Sequence, residues 1–186
     1  TIDHLMKYNP SYISCTYGAG GGNVGANREV CQMIKNAGTT PVTHFTVIKN
    51  TKEGIKEQLD QYLADGVDHM LALRGDIPLG ETTTCGDFDY ATDLVKFVRD
   101  TYGDKFEIAV AGSPEGHISC RSLESDIAVL KQKQDNGADY IMTQLCWDME
   151  QFKYWLDAIR KRWSYADPGS GSYHQHGTFQ KRLCYG

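Results

Sequence analysis

The sequence predicts an α/β protein built on a parallel sheet, because short β-branched or aromatic runs alternate with helical patterns. The runs begin 30, 27, 37 and 34 residues apart, and they occupy residues 12–15, 42–48, 69–73, 106–111 and 140–143. A strand–helix repeat of this length is typical of βαβ units. Such units require a parallel sheet that is covered by helices.

The helical pattern is clearest in three segments, in which apolar residues recur at three- and four-residue spacing. Their apolar positions are Ile55, Leu59, Tyr62 and Leu63; Leu123, Ile127 and Leu130; and Phe152, Leu156 and Ile159. Gly66 and Gly137 follow two of these segments, where a left-handed C-cap is expected. Asp148 with Gln151 resembles a capping box at the start of the third helix.

This spacing leaves two architectures open, an open doubly wound sheet and a closed (β/α)8 barrel. A complete eight-stranded barrel needs about 250 residues, whereas this chain has 186. If the fold is a barrel, we therefore expect it to be incomplete.

Composition and charge exclude several classes of protein. The chain has 24 acidic and 19 basic side chains, and its basic run is confined to residues 160–162, where a helix is expected to end. This is not the charge pattern of a nucleic-acid-binding protein. The sequence has neither an apolar stretch of about 18 residues nor a signal-peptide pattern, so we expect a cytoplasmic protein without a membrane span. The six scattered cysteines favour reduced thiols.

Glycines and polar side chains follow the predicted strands. In parallel α/β folds, the loops after the strands converge on one edge, which carries the functional site. The segments that follow the strands here are residues 16–20, 49–51, 74–76, 112–117 and 144–148.

The GGGNVG segment at residues 20–25 matches the dinucleotide-binding pattern G-x-G-x-x-G. That pattern also requires a carboxylate at the end of the next strand, where this chain has Lys49 and Asn50. A glycine-rich loop is therefore favoured, and a Rossmann-type dehydrogenase that binds NAD without flavin stays an alternative.

Three further features are candidates for a site. His117 lies in a loop rich in glycine and proline, whereas His44 lies in an apolar run, where a core histidine is the ordinary interpretation. No third ligand has the spacing of a zinc site. The RGD triplet at residues 74–76 is either a surface ion pair or a close approach to a ligand. The amide of Gln144 can both donate and accept hydrogen bonds, which suits the edge of a pterin or a pyrimidine.

Four segments in this order together resemble the methylenetetrahydrofolate reductase family. They are YGAGG at residues 17–21, LALRGDIP at 71–78, VAGSPEGH at 110–117 and GADYIMTQ at 137–144. The resemblance covers roughly residues 10–160 and implies a TIM barrel that binds FAD. It also implies a homo-oligomeric oxidoreductase that uses NAD(P)H to reduce methylenetetrahydrofolate to methyltetrahydrofolate.

The resemblance implies a role for each matching residue. Asp76 and Gln144 would be catalytic, since Asp76 would favour the cationic iminium form of the folate, and Gln144 would contact the pterin and the stacked nicotinamide. The implied FAD contacts are Thr16, Tyr17, Ala19, His44, Arg74, Gly75, Asp76, Tyr90, Ala91, His117, Asp126 and Lys133.

The chain departs from the family pattern at three places. Ser113 stands where many members have an aromatic residue against the flavin. The family's first strand, with the glutamate that protonates the folate, would precede Thr1, and residues 163–186 form an atypical tail. We therefore expect residues 1–186 to be one partial FAD-binding barrel domain with little activity alone. The alternative is a remnant that binds flavin or pterin without catalysis.

Overall fold

The computed structural model describes residues 2–16, 24–77, 79–117, 120 and 122–163. In chain order the elements are α1 (Ile2–Met6), β1 (Tyr12–Cys15), α2 (Val24–Asn36), β2 (Thr40–Thr46), α3 (Lys52–Ala64), β3 (His69–Leu73), α4 (Ala91–Tyr102), β4 (Glu107–Gly112), α5 (Leu123–Asp135), β5 (Tyr140–Thr143) and α6 (Met149–Trp163). The tail predicted at residues 163–186 lies outside the described residues beyond the end of α6. Among the described residues, no helix has the length and apolar character that crossing a bilayer requires.

The strands confirm the predicted alternation, and β1, β3 and β5 have the predicted bounds. β2 starts and ends two residues earlier than predicted. The apolar run continues past the strand into Val47 and Ile48, which are buried in the following loop. Lys49 then turns the chain with a φ of 55°. The apolar run at residues 42–48 therefore predicts buried residues along most of its length, but only part of it pairs as a β-strand.

The strands form one sheet in the order β1-β2-β3-β4-β5. β1 pairs with β2 and β2 pairs with β3, both in parallel. The backbone N–H of Glu107, at the start of β4, donates to the carbonyl of Asp68 just before β3 at 2.8 Å. In a doubly wound sheet the chain would instead return to the edge of β1 after the third strand. The Rossmann alternative is therefore wrong.

The chain comprises two compact units, and the boundary between them along the chain falls between Ala109 and Val110 inside β4. In the first unit, α2 and α3 cover one face of β2. The hydroxyl of Thr43 donates to Asn27 of α2 at 2.8 Å, and the ring of Phe45 contacts Tyr62 of α3. Successive strand residues point to opposite faces, so His44 faces away from these helices.

The second unit packs α6 closely against its strands. Trp155 is fully buried, and a Cβ built on Gly112 would lie 2.6 Å from Ile141 and 3.0 Å from the Trp155 ring. Only glycine therefore allows this approach of the end of β4 to the helix.

The helix signals are confirmed, with one difference. Gly66 and Gly137 have φ values of 68° and 108°, as left-handed caps require. The carboxylate of Asp148 accepts the backbone N–H groups of Glu150 and Gln151 at 2.9 and 3.1 Å and thus caps α6. The Gln151 side chain does not return to Asp148 but donates to the carbonyl of Pro114 at 2.9 Å.

Candidate functional site

In the first unit, three loops lie at one edge of the sheet, because parallel strands place their carboxyl ends together. The backbone N–H of Val47 donates to the carbonyl of Arg74 at 3.2 Å, which joins the segments after β2 and β3. Thr16, Arg74, Gly75 and Asp76 lie at this edge, as predicted. Thr16 and Asp76 are exposed, and Arg74 is half-buried. A guanidinium and a carboxylate therefore flank a glycine where a ligand could approach.

Gly75 lies close against β2. Its φ is 86°, and a Cβ built on it would lie 2.7 Å from Cγ1 of Ile48 and 3.1 Å from Cβ of Thr46. The position thus requires glycine for both its backbone conformation and its packing. This contact holds the backbone between Arg74 and Asp76 in place.

Replacing Gly75 by alanine is expected to lower the free energy of unfolding by about 2–4 kcal/mol, from left-handed strain plus overpacking. Gly80→Ala is the matched control, because Gly80 has a φ of 89° and open space around a built Cβ. Chemical denaturation of both variants measures the difference. Equal losses would show that the contact with Ile48 costs nothing.

His44 lies on β2 on the face opposite α2 and α3. Its Nε2 is buried and has no hydrogen-bond partner among the described residues. Burial lowers the pKa of His44 from its ordinary value near 6.5. The imidazole is therefore held neutral, with one ring nitrogen available to a ligand on that face of the sheet.

This lowered pKa makes the stability of the fold depend on pH. The unfolded chain binds a proton more tightly at this histidine, so the neutral form contributes stability above about pH 6.5, and that contribution decreases as the pH falls. We expect His44→Gln to flatten the decrease in unfolding free energy between about pH 7.5 and 5.5. Replacement of exposed His4 by glutamine is the control. Identical profiles for wild type and His44→Gln would contradict the prediction.

Asn27 of α2 fixes the end of β1, and the sequence analysis did not identify it. Its Nδ2 donates to the carbonyls of Cys15 and Thr16 at 3.2 and 3.1 Å. Its Oδ1 accepts the hydroxyls of Thr43 and Tyr62 at 2.8 and 2.7 Å. One buried amide thus ties the backbone at Thr16 to β2 and α3. The sequence does carry a signal, since Asn27 shares the i, i+4, i+7 stripe of the buried residues Cys31 and Ile34.

A groove of about 660 Å³ lies beside this amide, between α1, β1 and α2. Thr16 is at one end, and apolar side chains such as Leu5, Val30 and Met33 form much of the lining. Thr16 is the only predicted FAD contact among the lining residues. The groove therefore does not coincide with the loop edge at Arg74–Asp76.

The connection from β3 to α4 is held against the loop after β2. The backbone N–H of Lys49 donates to the carbonyl of Thr84 at 2.8 Å, and that of Asp87 donates to the carbonyl of Asn50 at 3.1 Å. A Cβ on Gly86 would lie 2.5 Å from the Asn50 carbonyl oxygen. These contacts fix the path of the chain into α4.

Tyr90 and Ala91, two predicted FAD contacts, stand at the start of α4. The backbone N–H of Tyr90 donates to the carboxylate of Asp93 at 3.0 Å, and the Tyr90 side chain is 61% exposed. The methyl group of Ala91 is buried. Tyr90 can therefore offer its ring to a ligand, whereas Ala91 can offer only its backbone.

In the second unit, Gln144 follows β5 beside the end of β4. Its backbone N–H donates to the carbonyl of Gly112 at 2.8 Å, and its side chain is exposed. His117 is also exposed, in the loop that follows β4. Both predicted residues therefore lie in loops at strand ends.

Asp126 and Lys133 of α5 form a second group with Cys120. Asp126 is 6% exposed; its Oδ1 accepts the thiol of Cys120 at 3.7 Å, and its Oδ2 has no partner among the described residues. Lys133 donates to the carbonyl of Ala111 at 3.2 Å. Burial lowers the pKa of Lys133, while the charge of Asp126 opposes this effect. The group offers an unsatisfied acceptor and a largely desolvated amine.

Eleven of the thirteen predicted site residues lie among the described residues. The first unit contains seven of them, Thr16, His44, Arg74, Gly75, Asp76, Tyr90 and Ala91, and the second contains four, His117, Asp126, Lys133 and Gln144. Tyr17 and Ala19 lie outside the described residues. The roles of all these residues remain predictions.

Comparison with solved structures identifies proteins of similar fold. Phosphonopyruvate hydrolase superposes with a TM-score of 0.64 at 10% identity, over 85% of this chain and 59% of that one. Oxaloacetate acetylhydrolase gives a TM-score of 0.59 at 14% identity, over 85% and 59% of the two chains. At these identities the likeness concerns the fold alone.

Curated relatives are more similar in sequence. Methylenetetrahydrofolate reductase (NADH) 1 of Arabidopsis thaliana is 35% identical over 173 residues, covering 86% of this chain and 29% of the relative. The 5,10-methylenetetrahydrofolate reductase of Pectobacterium carotovorum is 35% identical over 159 residues, covering 84% and 51%. That of Escherichia coli is 33% identical over 158 residues, covering 84% and 52%.

The chain thus spans about half the length of the bacterial relatives and under a third of the plant relative. The sequence profile of the family described as methylenetetrahydrofolate reductase matches residues 1–167, which include every predicted site residue. This chain belongs to the methylenetetrahydrofolate reductase family.

Proposed function

We propose that the protein is a flavoprotein that reduces 5,10-methylenetetrahydrofolate to 5-methyltetrahydrofolate with NAD(P)H. The observation that carries the proposal concerns buried polar atoms: of the three side-chain atoms that have no partner among the described residues, two, Nε2 of His44 and Oδ2 of Asp126, belong to predicted FAD contacts. Burying an unsatisfied polar atom is costly, so such atoms indicate a missing ligand. Family membership indicates that the ligand is a flavin.

The first unit offers groups that fit the flavin ring and its phosphates. Neutral His44 can hydrogen-bond a polar ring edge, and Gly75 permits a close backbone approach. Arg74 supplies a guanidinium that matches phosphate geometry. Thr16 and the Tyr90 ring add exposed polar groups.

The second unit offers groups that fit the ribityl, diphosphate and adenosine portions. The free oxygen of Asp126 accepts a hydroxyl, and the amine of Lys133 attracts an anion. The exposed side chain of His117, nine residues before Asp126 in the sequence, can also donate or accept a hydrogen bond. The donors and acceptors of the second unit therefore fit that part of FAD.

Bound FAD would supply the hydride chemistry, and the protein would supply orientation and electrostatics. The carboxylate of Asp76 stabilises positive charge on the folate iminium. The amide of Gln144 donates a hydrogen bond to the pterin edge and accepts one from it. It also contacts the nicotinamide, since the folate and the nicotinamide bind one after the other on the same face of the flavin. Catalysis in the family further needs a proton donor for ring opening, which these residues do not supply.

Residues 1–186 belong to a single FAD-binding (β/α)8 TIM-barrel domain, of which they form a part. The support is the strand order, which advances by one strand at each step. Parallel pairs in such an order, joined by right-handed crossovers, place successive helices on the same face, as a barrel requires. The protein acts as a homo-oligomer in the cytoplasm.

The test is to purify the full-length gene product and record its flavin absorbance after addition of FAD, then to assay oxidation of NADH and NADPH with methylenetetrahydrofolate. We expect flavin bands that acid precipitation releases, because the cofactor is held noncovalently. Flavin binding with folate-dependent turnover supports the proposal. Binding without turnover supports a non-catalytic flavin module, and NAD binding without flavin contradicts the proposal.

Replacing Gln144 by glutamate is expected to weaken folate binding about tenfold or more while FAD stays bound, because the change removes a donor and places a charge against the pterin. Titration of the flavin absorbance with folate measures the effect. Gln132→Glu introduces the same charge on the exposed surface of α5 and is the control. Unaltered folate affinity in Gln144→Glu would remove this residue from the site.

A further inference from the structure

Two thiols converge on the amide of Asn27 in the first unit. Nδ2 of Asn27 donates to Sγ of Cys15 at 3.4 Å, and Sγ of Cys31 donates to Oδ1 of Asn27 at 3.5 Å. Both cysteines are free, and they bring one sulfur atom from the end of β1 and one from the middle of α2 to the same amide.

The hydrogen bonds give the two thiols different roles. Cys15 accepts an N–H from Asn27 at 3.4 Å, an interaction that favours a thiolate and is shorter than the 3.9 Å contact through which Cys15 donates to the carbonyl of Thr16. Cys31 donates its own proton to Asn27 and so is held as a thiol. Access differs in the same sense, because Cys15 is half-buried and Cys31 is 0% exposed. Only Cys15 can meet a reagent from solution.

We propose that Cys15 and Cys31 form a redox-modification site, in which Cys15 attacks a small-molecule disulfide and Cys31 resolves the adduct. In the first step the Cys15 thiolate bonds to one sulfur of the reagent, and the other sulfur leaves as a thiolate. In the second step Cys31 attacks the Cys15 sulfur, and the second reagent thiolate leaves. The protein is oxidised by two electrons, the reagent is reduced to two thiols, and the two protein protons pass to them.

The modification would act on the backbone at β1. Asn27 holds the carbonyls of Cys15 and Thr16 with the same amide that touches both sulfur atoms. A covalent bond between these sulfur atoms removes the Cys31 donor and shifts the Cys15 acceptor. The oxidised and reduced forms therefore differ at Thr16, the residue that follows β1.

Exchange at this site is slow near neutral pH. The pKa of Cys31 is raised to about 12, chiefly by burial and also by Cys15 and by Asp65 at the end of α3, while the hydroxyl of Thr43 lowers it. Burial also raises the pKa of Cys15. The thiolate fraction then rises about tenfold per pH unit below these pKa values, and mildly alkaline conditions speed the reaction.

The experiment treats the whole protein with oxidised glutathione at about pH 8.5, followed by alkylation of free thiols and peptide mapping. We expect a disulfide-linked pair of peptides that carry Cys15 and Cys31, formed without lasting accumulation of a glutathione adduct on Cys15. Cys85→Ser, which removes an exposed thiol elsewhere in the first unit, should leave the yield of this pair unchanged within about 20%.

A resolving-cysteine variant gives the second readout. In Cys31→Ser, glutathione should stay attached to Cys15, because the second thiolate is gone. Since the wild-type mapping needs no variant, poor folding of Cys31→Ser does not affect it. A stable glutathione adduct on Cys15 in the wild type, or Cys31 that remains alkylatable after Cys15 has reacted, would overturn the proposal.

Discussion

Asp76→Asn is expected to slow reduction of methylenetetrahydrofolate by about 10²-fold or more, while reduction of the flavin by NADH stays within about threefold of wild type. The reason is that only the folate step develops positive charge that an exposed carboxylate at the end of β3 can stabilise. Stopped-flow absorbance of the flavin separates the two half-reactions. This prediction depends on the proposed function.

Asp157→Asn is the matched control, because it neutralises an exposed carboxylate on α6. It should leave both half-reactions unchanged. If Asp76→Asn slowed the two half-reactions equally, Asp76 would have a structural role. If it slowed neither, the charge at this position would not contribute to catalysis.

Asn27→Ala is expected to lower the free energy of unfolding by about 3–5 kcal/mol, the range for breaking a buried polar network. The alanine removes the acceptor that the hydroxyls of Thr43 and Tyr62 share. Thr43 and Tyr62 are both fully buried. It also removes the donor to the carbonyls of Cys15 and Thr16. Urea denaturation followed by circular dichroism measures the loss.

Asn36→Ala provides the control, since Asn36 is exposed at the end of the same helix. Its effect should be within about 0.5 kcal/mol. A loss below about 1 kcal/mol in Asn27→Ala would mean that water replaces the amide in this network, and that the end of β1 is held by other contacts.

Much of the fold could be predicted from the sequence, because local patterns specify strands and helix ends directly. The bounds of β1, β3 and β5 followed from short β-branched or aromatic runs. The end of β2 did not, because Val47 and Ile48 are buried in a loop and carry the same apolar signal as a strand. The strand order also could not be derived from spacing, since the doubly wound sheet and the barrel share the βαβ repeat.

The candidate site was predictable where a site residue directly follows a predicted strand in the sequence. Arg74–Asp76 and Gln144 follow strands directly, so strand prediction placed them at loop edges. Asn27 was missed because its importance comes from four partners distant in sequence, which only the packing of α2 on β2 and α3 brings together. The side chain of Gln151 illustrates the same limit, since a tertiary contact with Pro114 replaced the local contact that its spacing predicted.

The strand order also bears on how the protein is made. Each strand of the sheet neighbours the strand that precedes it in the chain. During synthesis, each of β2 to β5 therefore leaves the ribosome after the neighbour that precedes it in the chain. Each of these pairings closes across a single helical crossover, so the sequence separation between neighbouring strands is short, which favours faster folding than pairing between distant strands would.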